Sequence, residues 1–255
     1  MEIKKIELAI KNLREVFFNA GKISIELRNK GLKEQIKPDN TPVTNGDLEV
    51  NNIILSNLKK ITPNIPIVSE ETADNKNTNL DTFWLVDPID GTYDYINNRD
   101  EFTLNAGLII NKVAVAGIIY APAKNRMFYT YGNDLSFEFM NNQEIILNNK
   151  IIDKKNIVAV SYSNKLKPEI MEIHKKLNVK NYIKMKSSFK FCVIATGEYQ
   201  VYVAEPRAHE WDIAAGHAIL KNSGGSVTDF DGNKILYGKD RFINPSLILK
   251  SIKNL

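Results

Sequence analysis

The stretch FWLVDPIDGTYDY places two aspartates, Asp87 and Asp90, three residues apart at the end of an apolar run. The apolar Phe-Trp-Leu-Val segment is typical of a strand that is buried on both faces, and Pro88 favours an extended backbone at Asp87. Two ionised carboxylates in such a place repel each other and raise each other's pKa unless a cation lies between them. The pair therefore predicts a site for a divalent cation.

The residue types around this pair favour magnesium. Carboxylate oxygens are the hard ligands that Mg²⁺ prefers, and Mg²⁺ keeps several waters that can serve a phosphate substrate. Histidine is nearly absent from the acidic motifs and cysteine wholly so, which argues against zinc and copper. Backbone amides at Gly91, before a short predicted helix, can hold phosphate oxygens, and the Thr92 hydroxyl can orient a water. Together these features predict a phosphomonoesterase.

Further acids occur where predicted strands end or predicted helices begin, and each has an ordinary structural alternative. Asp47 ends TPVTNGD and Asp212 ends EWD. Both can complete the first turn of a helix, where carboxylates are favoured electrostatically. Glu70 and Glu71, in SEE, can form a solvated loop surface, and Asp90 precedes glycine in a pair that is common in turns.

The first half of the chain predicts two helices followed by strands. Apolar residues recur every three or four positions over residues 2–28 and again over residues 46–60, with Thr44 as a suitable N-cap for the second helix. A polar loop is predicted over residues 72–81, and a hairpin turn at Asn111-Lys112. The predicted strands are IPIVS, FWLVD, FTLNAGLII, VAVAGIIYAP and RMFYTYG.

The second half alternates strands and helices, which indicates an α/β arrangement. The predicted strands are IVAVSYS, YIKMKS and QVYVA, and the predicted helices are residues 168–177, 188–196 and 211–223. Gly224-Gly225 is a suitable C-cap for the last helix. The asparagine-rich region 141–155 is interpreted as the junction between an α+β half (1–148), with an antiparallel sheet and most of the metal ligands, and an α/β half (149–255). The halves are expected to form a single compact unit.

Composition is that of an ordinary globular protein. The chain has 255 residues, of which 43% are hydrophobic and 25% charged, and a formal net charge of +4. Its lysines are scattered and do not alternate with aromatics, so nucleic acid is not expected as the main partner. Cys192 is the single cysteine, which excludes an intrachain disulfide, and its apolar surroundings indicate a buried thiol. No signal peptide or transmembrane run is recognisable. A cytoplasmic protein is expected, and peripheral attachment to the inner membrane is left open.

The motif DPIDGT, preceded by SEE and followed by EWDIAAGHAIL, resembles the signature set of the lithium-sensitive, magnesium-dependent inositol monophosphatase superfamily, over nearly the whole chain. PNIPIVSEE, NRDEFTLNAGLI, SSFKFCVIATGEYQVY and FINPS resemble its 3′(2′),5′-bisphosphate nucleotidase branch. The resemblance implies a layered α-β-α-β-α sandwich of the sugar-phosphatase type. It also implies a phosphatase of sulfur metabolism that converts adenosine 3′,5′-bisphosphate to AMP and phosphate, and lithium sensitivity rests on the resemblance alone.

The resemblance implies roles for individual residues. Asp87 would bridge two Mg²⁺ ions, Asp47 and Glu70 would position a third ion or the attacking water, and Thr92 would polarise that water. The implied catalytic residues are therefore Asp47, Thr92 and Glu70. The implied metal ligands, for two or three ions, are Glu70, Asp87, the carbonyl of Ile89, Asp90 and Asp212.

A bisphosphate nucleotide also needs a cationic contact for its second phosphate and a flat wall for adenine. Lys190 and Arg207 are candidates for the cation and His209 or Tyr93 for the wall, although each can be an ordinary surface side chain. The predicted substrate-binding residues are Gly91, Thr92, Tyr93, Lys190, Arg207, His209 and Asp212, with Asp94, Lys186 and Glu210 as further candidates. Where this chain has Tyr93-Asp94-Tyr95, nucleotidases of this branch usually have Lys-Glu-Phe, so a cation near the substrate is lost.

Two alternatives remain open. An inositol-1-monophosphatase or a fructose-1,6-bisphosphatase would keep every metal ligand and differ only in its pocket. A non-catalytic regulatory or RNA-binding protein could share the fold, but the intact set of acids argues against it. The expected partner is a small-molecule phosphomonoester, and both a monomer and a homodimer are compatible with the sequence.

Overall fold

The structure, a computed structural model, describes residues 2–73 and 80–255. The helices in these ranges are α1 (Ile3–Lys30), α2 (Asn45–Ile61), α3 (Thr92–Ile96), α4 (Pro168–Lys176), α5 (Phe189–Thr196) and α6 (Glu210–Asn222). The strands are β1 (Glu34–Ile36), β2 (Pro42–Thr44), β3 (Ile67–Ser69), β4 (Phe83–Asp90), β5 (Thr103–Ile110), β6 (Val113–Ala121), β7 (Arg126–Gly132), β8 (Leu135–Met140), β9 (Gln143–Ile146), β10 (Ile157–Ser161), β11 (Val179–Lys184), β12 (Val201–Ala204), β13 (Ser226–Thr228) and β14 (Leu247–Lys250).

The elements form five layers. Helices α1 and α2 cover one face of a seven-stranded sheet, in which β3 to β9 lie in chain order. Helices α5 and α6 lie between this sheet and a five-stranded sheet of order β11-β10-β12-β14-β13, and α4 packs on the outer side of the second sheet. The predicted α-β-α-β-α sandwich is confirmed.

Strand β4 is buried on both faces because its side chains alternate between two cores. Phe83 and Leu85 pack with α5 and α6, whereas Trp84 and Val86 pack with α1 and α2. The continuous apolar run that predicted a doubly buried strand has this physical cause. As a consequence, the carboxylate that follows, on Asp87, lies in the interior with 1% of its surface exposed.

Two glycines allow α6 to lie directly on the first sheet. A Cβ at Gly107 or at Gly117 would lie 2.7 Å from atoms of α6, at Ala214 and Ala215 respectively. That distance is too short for a carbon atom, so a larger residue on β5 or β6 would push the helix outward. This close approach sets the distance between α6 and the first sheet. It therefore helps to position Asp212, which lies in the first turn of α6.

Local signals placed most elements correctly. The predicted helices at 2–28 and 46–60 correspond to α1 and α2, and the Thr44 side chain caps α2 by accepting a hydrogen bond from Gly46 N–H at 3.0 Å. The hairpin turn has positive φ at both Asn111 and Lys112, as a tight two-residue turn requires. Helix α6 ends at Asn222, and the amides of Gly224 and Gly225, just beyond it, donate to carbonyls of its last turn.

Part of the polar region 141–155, which was interpreted as the junction between the halves, is a strand. Its first part forms β9, which extends the first sheet by pairing with β8, and neither strand was predicted. All four residues of β9 are exposed, so the strand lacks the apolar alternation by which strands are recognised. The first sheet ends at residue 146 and the second begins at residue 157, so the division at 148 stays a prediction.

The two sheets share one continuous core. Phe128 of the first sheet and Val160 of the second belong to the same buried cluster, and the predicted buried thiol of Cys192 lies in it too. Of the loop predicted over residues 72–81, residues 74–79 lie outside the described residues. Across the described ranges, no helix combines the length and hydrophobicity needed to cross a membrane.

Candidate active site

Asp87 and Asp90 lie on either side of a bulge in β4. Pairing with β5 sets Asp87 opposite Asn105 and Asp90 opposite Thr103, so β4 contains one extra residue between them. Side chains three residues apart in a regular strand point to opposite faces, and the extra residue turns both carboxylates to the same side. Pro88, which cannot donate a ladder hydrogen bond, occupies this interruption.

Glu70, Asp87 and Asp212 converge beyond the end of β4. One carboxylate oxygen of each lies within 4.8 Å of the other two. Parallel pairing of β3 with β4 brings Glu70 to this position, and its backbone N–H donates to the Val86 carbonyl at 3.0 Å. Asp212 arrives from the first turn of α6. Acids from three distant segments thus form one group with the spacing of metal ligands.

Burial and mutual repulsion raise the pKa of these carboxyl groups. Burial raises the pKa of Asp87 and of Asp212 well above the usual range, and neighbouring carboxylates raise both further. Burial also raises the pKa of Glu70 to about 7, against the opposing charge of Lys37. Among the described residues, Asp87 Oδ1 is buried without a hydrogen-bond partner. A buried, unpaired carboxylate oxygen is costly, so the group fits a bound divalent cation.

Asp90 lies beside this group and in contact with α5. Its carboxylate accepts a hydrogen bond from the backbone N–H of Ser188, at the start of α5. Burial raises the pKa of Asp90, and the charge of Lys190 together with the Ser188 hydrogen bond opposes the shift. The predicted metal ligands Asp87, Asp90 and Asp212 are therefore neighbours, although Asp90 is outside the three-residue group.

Asp47 caps α2 with one carboxylate oxygen and contacts the Thr92 hydroxyl with the other. Its Oδ2 accepts hydrogen bonds from the backbone N–H and the hydroxyl of Thr44, at 2.8 and 2.6 Å, and so completes the cap of α2. Its Oδ1 lies 3.1 Å from the hydroxyl of Thr92, which is also 3.1 Å from the Ile89 carbonyl. One hydroxyl hydrogen serves one acceptor, and the Thr92 oxygen keeps lone pairs for a water.

Asp212 shows the same division of its two oxygens. One of them, Oδ2, accepts the backbone N–H of His209 at 2.8 Å, which caps α6. The residue nevertheless belongs to the three-acid group. A first-turn acid of a helix can therefore serve as a cap with one oxygen and face a site with the other.

Lys37 is a cation of the site that the sequence analysis missed. It lies in the loop that joins β1 and β2, and its Nζ is 3.2 Å from Glu70 Oε1 and 2.8 Å from Glu71 Oε1. The Glu71 side chain is only 5% exposed, so a solvated loop surface was wrong for it. The sequence around Lys37 gives no local signal of this role, because the β1–β2 pairing that brings Lys37 to the acids has no local signature.

A cavity of about 330 Å³ opens beside Asp90 and Asp212. The candidate residues that line it are Gly91, Tyr93, Asp94, Lys186, Lys190 and Arg207. Thr92, His209 and Glu210 are not among its lining residues. The His209 ring stacks on Trp211 with a centroid separation of 4.7 Å. Glu210 is fully buried and accepts the backbone N–H groups of Gly238 and Lys239, which is a structural role.

Two cations and two tyrosines form one side of this cavity. Lys190 is buried, its Nζ donates to the Ser187 carbonyl, and it lies 5.3 Å from the centroid of the Tyr202 ring. Burial lowers the pKa of Lys190 to about 8, against the opposing charge of the nearby Asp90. The Arg207 guanidinium lies 3.9 Å from the centroid of the Tyr162 ring. Positive charge therefore lines the cavity next to the acids.

Comparison with known proteins identifies the family. Residues 5–254 match the sequence profile of the inositol monophosphatase family. The chain belongs to this family. Similar proteins include the 3′(2′),5′-bisphosphate nucleotidase CysQ of Buchnera aphidicola, 37% identical over 224 residues that cover 86% of this chain and 83% of that protein. The CysQ protein of Salmonella typhimurium is 32% identical over 89% of this chain and 93% of its own length.

A solved structure supports the same placement. The crystal structure of CysQ from Bacteroides thetaiotaomicron, a bacterial member of the family, aligns with a TM-score of 0.76 and 27% identity, covering 96% of this chain and 97% of that one. The predicted family, fold and phosphatase class are confirmed. The family is metal-dependent, and the acids that converge beyond β4 are the group in this chain that fits a metal.

The pKa of Glu70 leads to a testable pH dependence. Because this pKa is raised to about 7, the folded metal-free protein binds more protons than the unfolded chain between about pH 4.3 and about pH 7. Its contribution to stability is present at low pH and is lost as pH rises through about 7. Metal binding requires the deprotonated carboxylates. We expect millimolar MgCl₂ to raise the melting temperature by several degrees at about pH 8 and by much less at about pH 5.5.

Thermal unfolding with MgCl₂, and with NaCl at equal ionic strength as the control, measures this difference. An equal effect of both salts at the higher pH would contradict metal binding by these acids.

Proposed function

We propose that this phosphatase is a Mg²⁺-dependent 3′(2′),5′-bisphosphate nucleotidase that hydrolyses adenosine 3′,5′-bisphosphate to AMP and phosphate. The observation that carries the proposal is the adjacency of two features, a buried acidic group that fits metal ions and a cavity lined by cations and aromatic rings. The reacting phosphate would bind at the acids, while the second phosphate and the nucleoside would occupy the cavity. The names of the CysQ relatives support this substrate class.

Metal ions would provide much of the stabilisation of the negative charge on the reacting phosphate. Two or three Mg²⁺ ions, when bound, would neutralise phosphate charge and lower the pKa of a water. The residues that would hold them are Glu70, Asp87, the Ile89 carbonyl, Asp90 and Asp212. Neighbouring carboxylates raise the pKa of Asp87. This is expected of metal ligands when no cation is present to offset the repulsion between them.

Asp47 and Thr92 would position the attacking water and remove its proton. Thr92 Oγ1 would accept a hydrogen bond from the water while donating to Asp47 Oδ1, 3.1 Å away. As the water oxygen bonds to phosphorus and the ester bond to the ribose oxygen breaks, the water's proton would pass through Thr92 to Asp47. Burial raises the pKa of Asp47, which makes its carboxylate a better proton acceptor. The ribose oxygen would take a proton from solvent.

The finer partner and location assignments are proposals too. A small-molecule phosphomonoester would be the partner, and the protein would act in the cytoplasm. Attachment to the inner membrane has no support in the described parts of the chain, and the choice between monomer and homodimer stays a prediction.

A substrate comparison tests the proposed function. We expect kcat/KM for adenosine 3′,5′-bisphosphate to exceed that for inositol 1-phosphate and for fructose 1,6-bisphosphate by at least about a hundredfold, because only the nucleotide brings both a second phosphate and a base to the cationic, aromatic cavity. Phosphate release with MgCl₂ present, and with EDTA as the control, measures it. A preference for either sugar substrate would assign a different phosphatase of the family, and no release from any of the three would favour a non-catalytic protein.

A further inference from the structure

Lys186 brings a cation to the place where the sequence indicated that one is lost. Its Nζ lies 5.0 Å from the centroid of the Tyr93 ring and 3.5 Å from Asp94 Oδ2. Tyr93 and Asp94 occupy the two positions after Asp-Gly-Thr where the resembling branch usually has Lys and Glu. All three residues line the cavity beside the acids. The cation thus comes from the segment that follows β11 instead of from α3.

Asp94 is paired with two cations at this wall of the cavity. The Asp94 carboxylate is 3% exposed and pairs with Arg99 Nη1 at 3.0 Å as well as with Lys186 at the longer distance. One carboxylate therefore faces two cations. Lys186 is 32% exposed on its side chain, and a lysine on a flexible stem can turn its ammonium toward an anion in the cavity.

The backbone of Lys186 is held in register with the acidic site. Its backbone N–H donates to Glu101 Oε2 at 3.0 Å. Two residues later, the N–H of Ser188 donates to the carboxylate of Asp90. Because both ends of this short segment are bonded, the distance from the Lys186 backbone to the reacting centre is fixed, while the side chain keeps its freedom.

Lys186 differs from the other lysine of the cavity in its availability. Lys190 is 8% exposed and its ammonium donates to the Ser187 carbonyl. A buried ammonium with that bond is oriented toward its own backbone and toward Asp90. Lys186 has no backbone acceptor within the described residues, and its only carboxylate partner there is shared with Arg99.

We propose that Lys186 binds the phosphate of the substrate that is not hydrolysed, and so selects bisphosphate over monophosphate nucleotides. This assignment rests on the proposed nucleotidase function. Tyr93 and Asp94 hold the ammonium when the cavity is empty of substrate, and an incoming phosphate replaces the weaker, 3.5 Å contact with Asp94. Asp94 keeps the contact of its Oδ1 with Arg99 at 3.0 Å, so its carboxylate still has a cationic partner after the exchange.

The test is Lys186→Gln, with Lys184→Gln as the matched control on the exposed end of β11. We expect Lys186→Gln to raise the KM for adenosine 3′,5′-bisphosphate and the Kd of AMP by about tenfold or more, with kcat changed less than about twofold. The KM for adenosine 3′-monophosphate, which lacks the second phosphate, should stay unchanged. Lys186→Arg should restore most of the affinity, and Lys184→Gln should behave as the wild type.

Several outcomes would overturn the assignment. An unchanged KM for the bisphosphate in Lys186→Gln, while the wild type hydrolyses it well, would reject the role of Lys186 and leave the nucleotidase function intact. An equal loss with the bisphosphate and the monophosphate would show a structural role. If the wild type itself does not hydrolyse the bisphosphate, the proposed function fails and the assignment fails with it.

Discussion

Asp87→Asn is expected to lower kcat for every phosphomonoester by at least about a thousandfold while leaving a folded protein. Asp87 is the acid on which the other carboxylates act most, since Glu70, Asp90, Asp212 and Asp47 all raise its pKa in addition to burial. A neutral amide removes one negative charge from the centre of the group. It also replaces a carboxylate oxygen by an NH₂ group, which cannot bind a cation.

The same substitution should stabilise the metal-free protein. In the absence of metal, Asp87 Oδ1 is buried without a hydrogen-bond partner among the described residues. An amide avoids the repulsion and can donate to Glu70 or Asp212. We expect the melting temperature of the metal-free protein near neutral pH to rise by at least about 2 °C, since about 1 kcal/mol corresponds to about that shift for a chain of this size.

Phosphate release and thermal unfolding, each with MgCl₂ or EDTA, measure both effects. Asp231→Asn, in an exposed turn, is the matched control and should change neither quantity. Wild-type turnover by Asp87→Asn would contradict the assignment of the site. A lower melting temperature without metal would show that Asp87 instead stabilises the fold.

Thr92→Val is expected to lower kcat by about a hundredfold or more, whereas Thr92→Ser should retain most of the activity. Valine has nearly the shape of threonine but lacks the hydroxyl that faces Asp47 Oδ1 and the Ile89 carbonyl at 3.1 Å each. Without the hydroxyl, the attacking water loses both its orientation and its route for the proton. The carboxylates that would hold metal are unchanged in this variant.

The stabilisation by MgCl₂ separates this role from metal binding. The rise in melting temperature on adding MgCl₂ should be the same in Thr92→Val as in the wild type, because the hydroxyl is not a proposed metal ligand. If the variant loses this stabilisation along with activity, Thr92 supports the metal site and does not act on water. Full activity in Thr92→Val would remove Thr92 from the mechanism.

The elements with strong local signals were predictable from the sequence. The 3.6-residue spacing of apolar positions predicts α1 and α2, and Thr44, as a capping residue, predicts the start of α2. Two adjacent residues that can adopt positive φ predict the turn at Asn111-Lys112. The apolar run before Asp87 is enough to place a carboxylate at the end of a buried strand. These features depend on residues within a few positions of each other, so the sequence displays them directly.

The geometry of the candidate site required the tertiary structure. The bulge at Pro88, which turns Asp87 and Asp90 to one side, exists only because β4 pairs with β5 in a shifted register. Lys37 contacts Glu70, which is 33 residues away in the chain, and Lys186 contacts Asp94, which is 92 residues away. The spacing of neighbouring residues in the sequence predicts neither contact.

The sequence by itself therefore determined the family of this protein, and it predicted which acids and which hydroxyl form the candidate site. The tertiary structure decided which charges surround them, because Gly107 and Gly117 allow α6 to approach the first sheet closely and α6 carries Asp212 to the acids. Electrostatic interactions depend on distance in space and burial, and both are set by the packing of segments that are far apart along the chain.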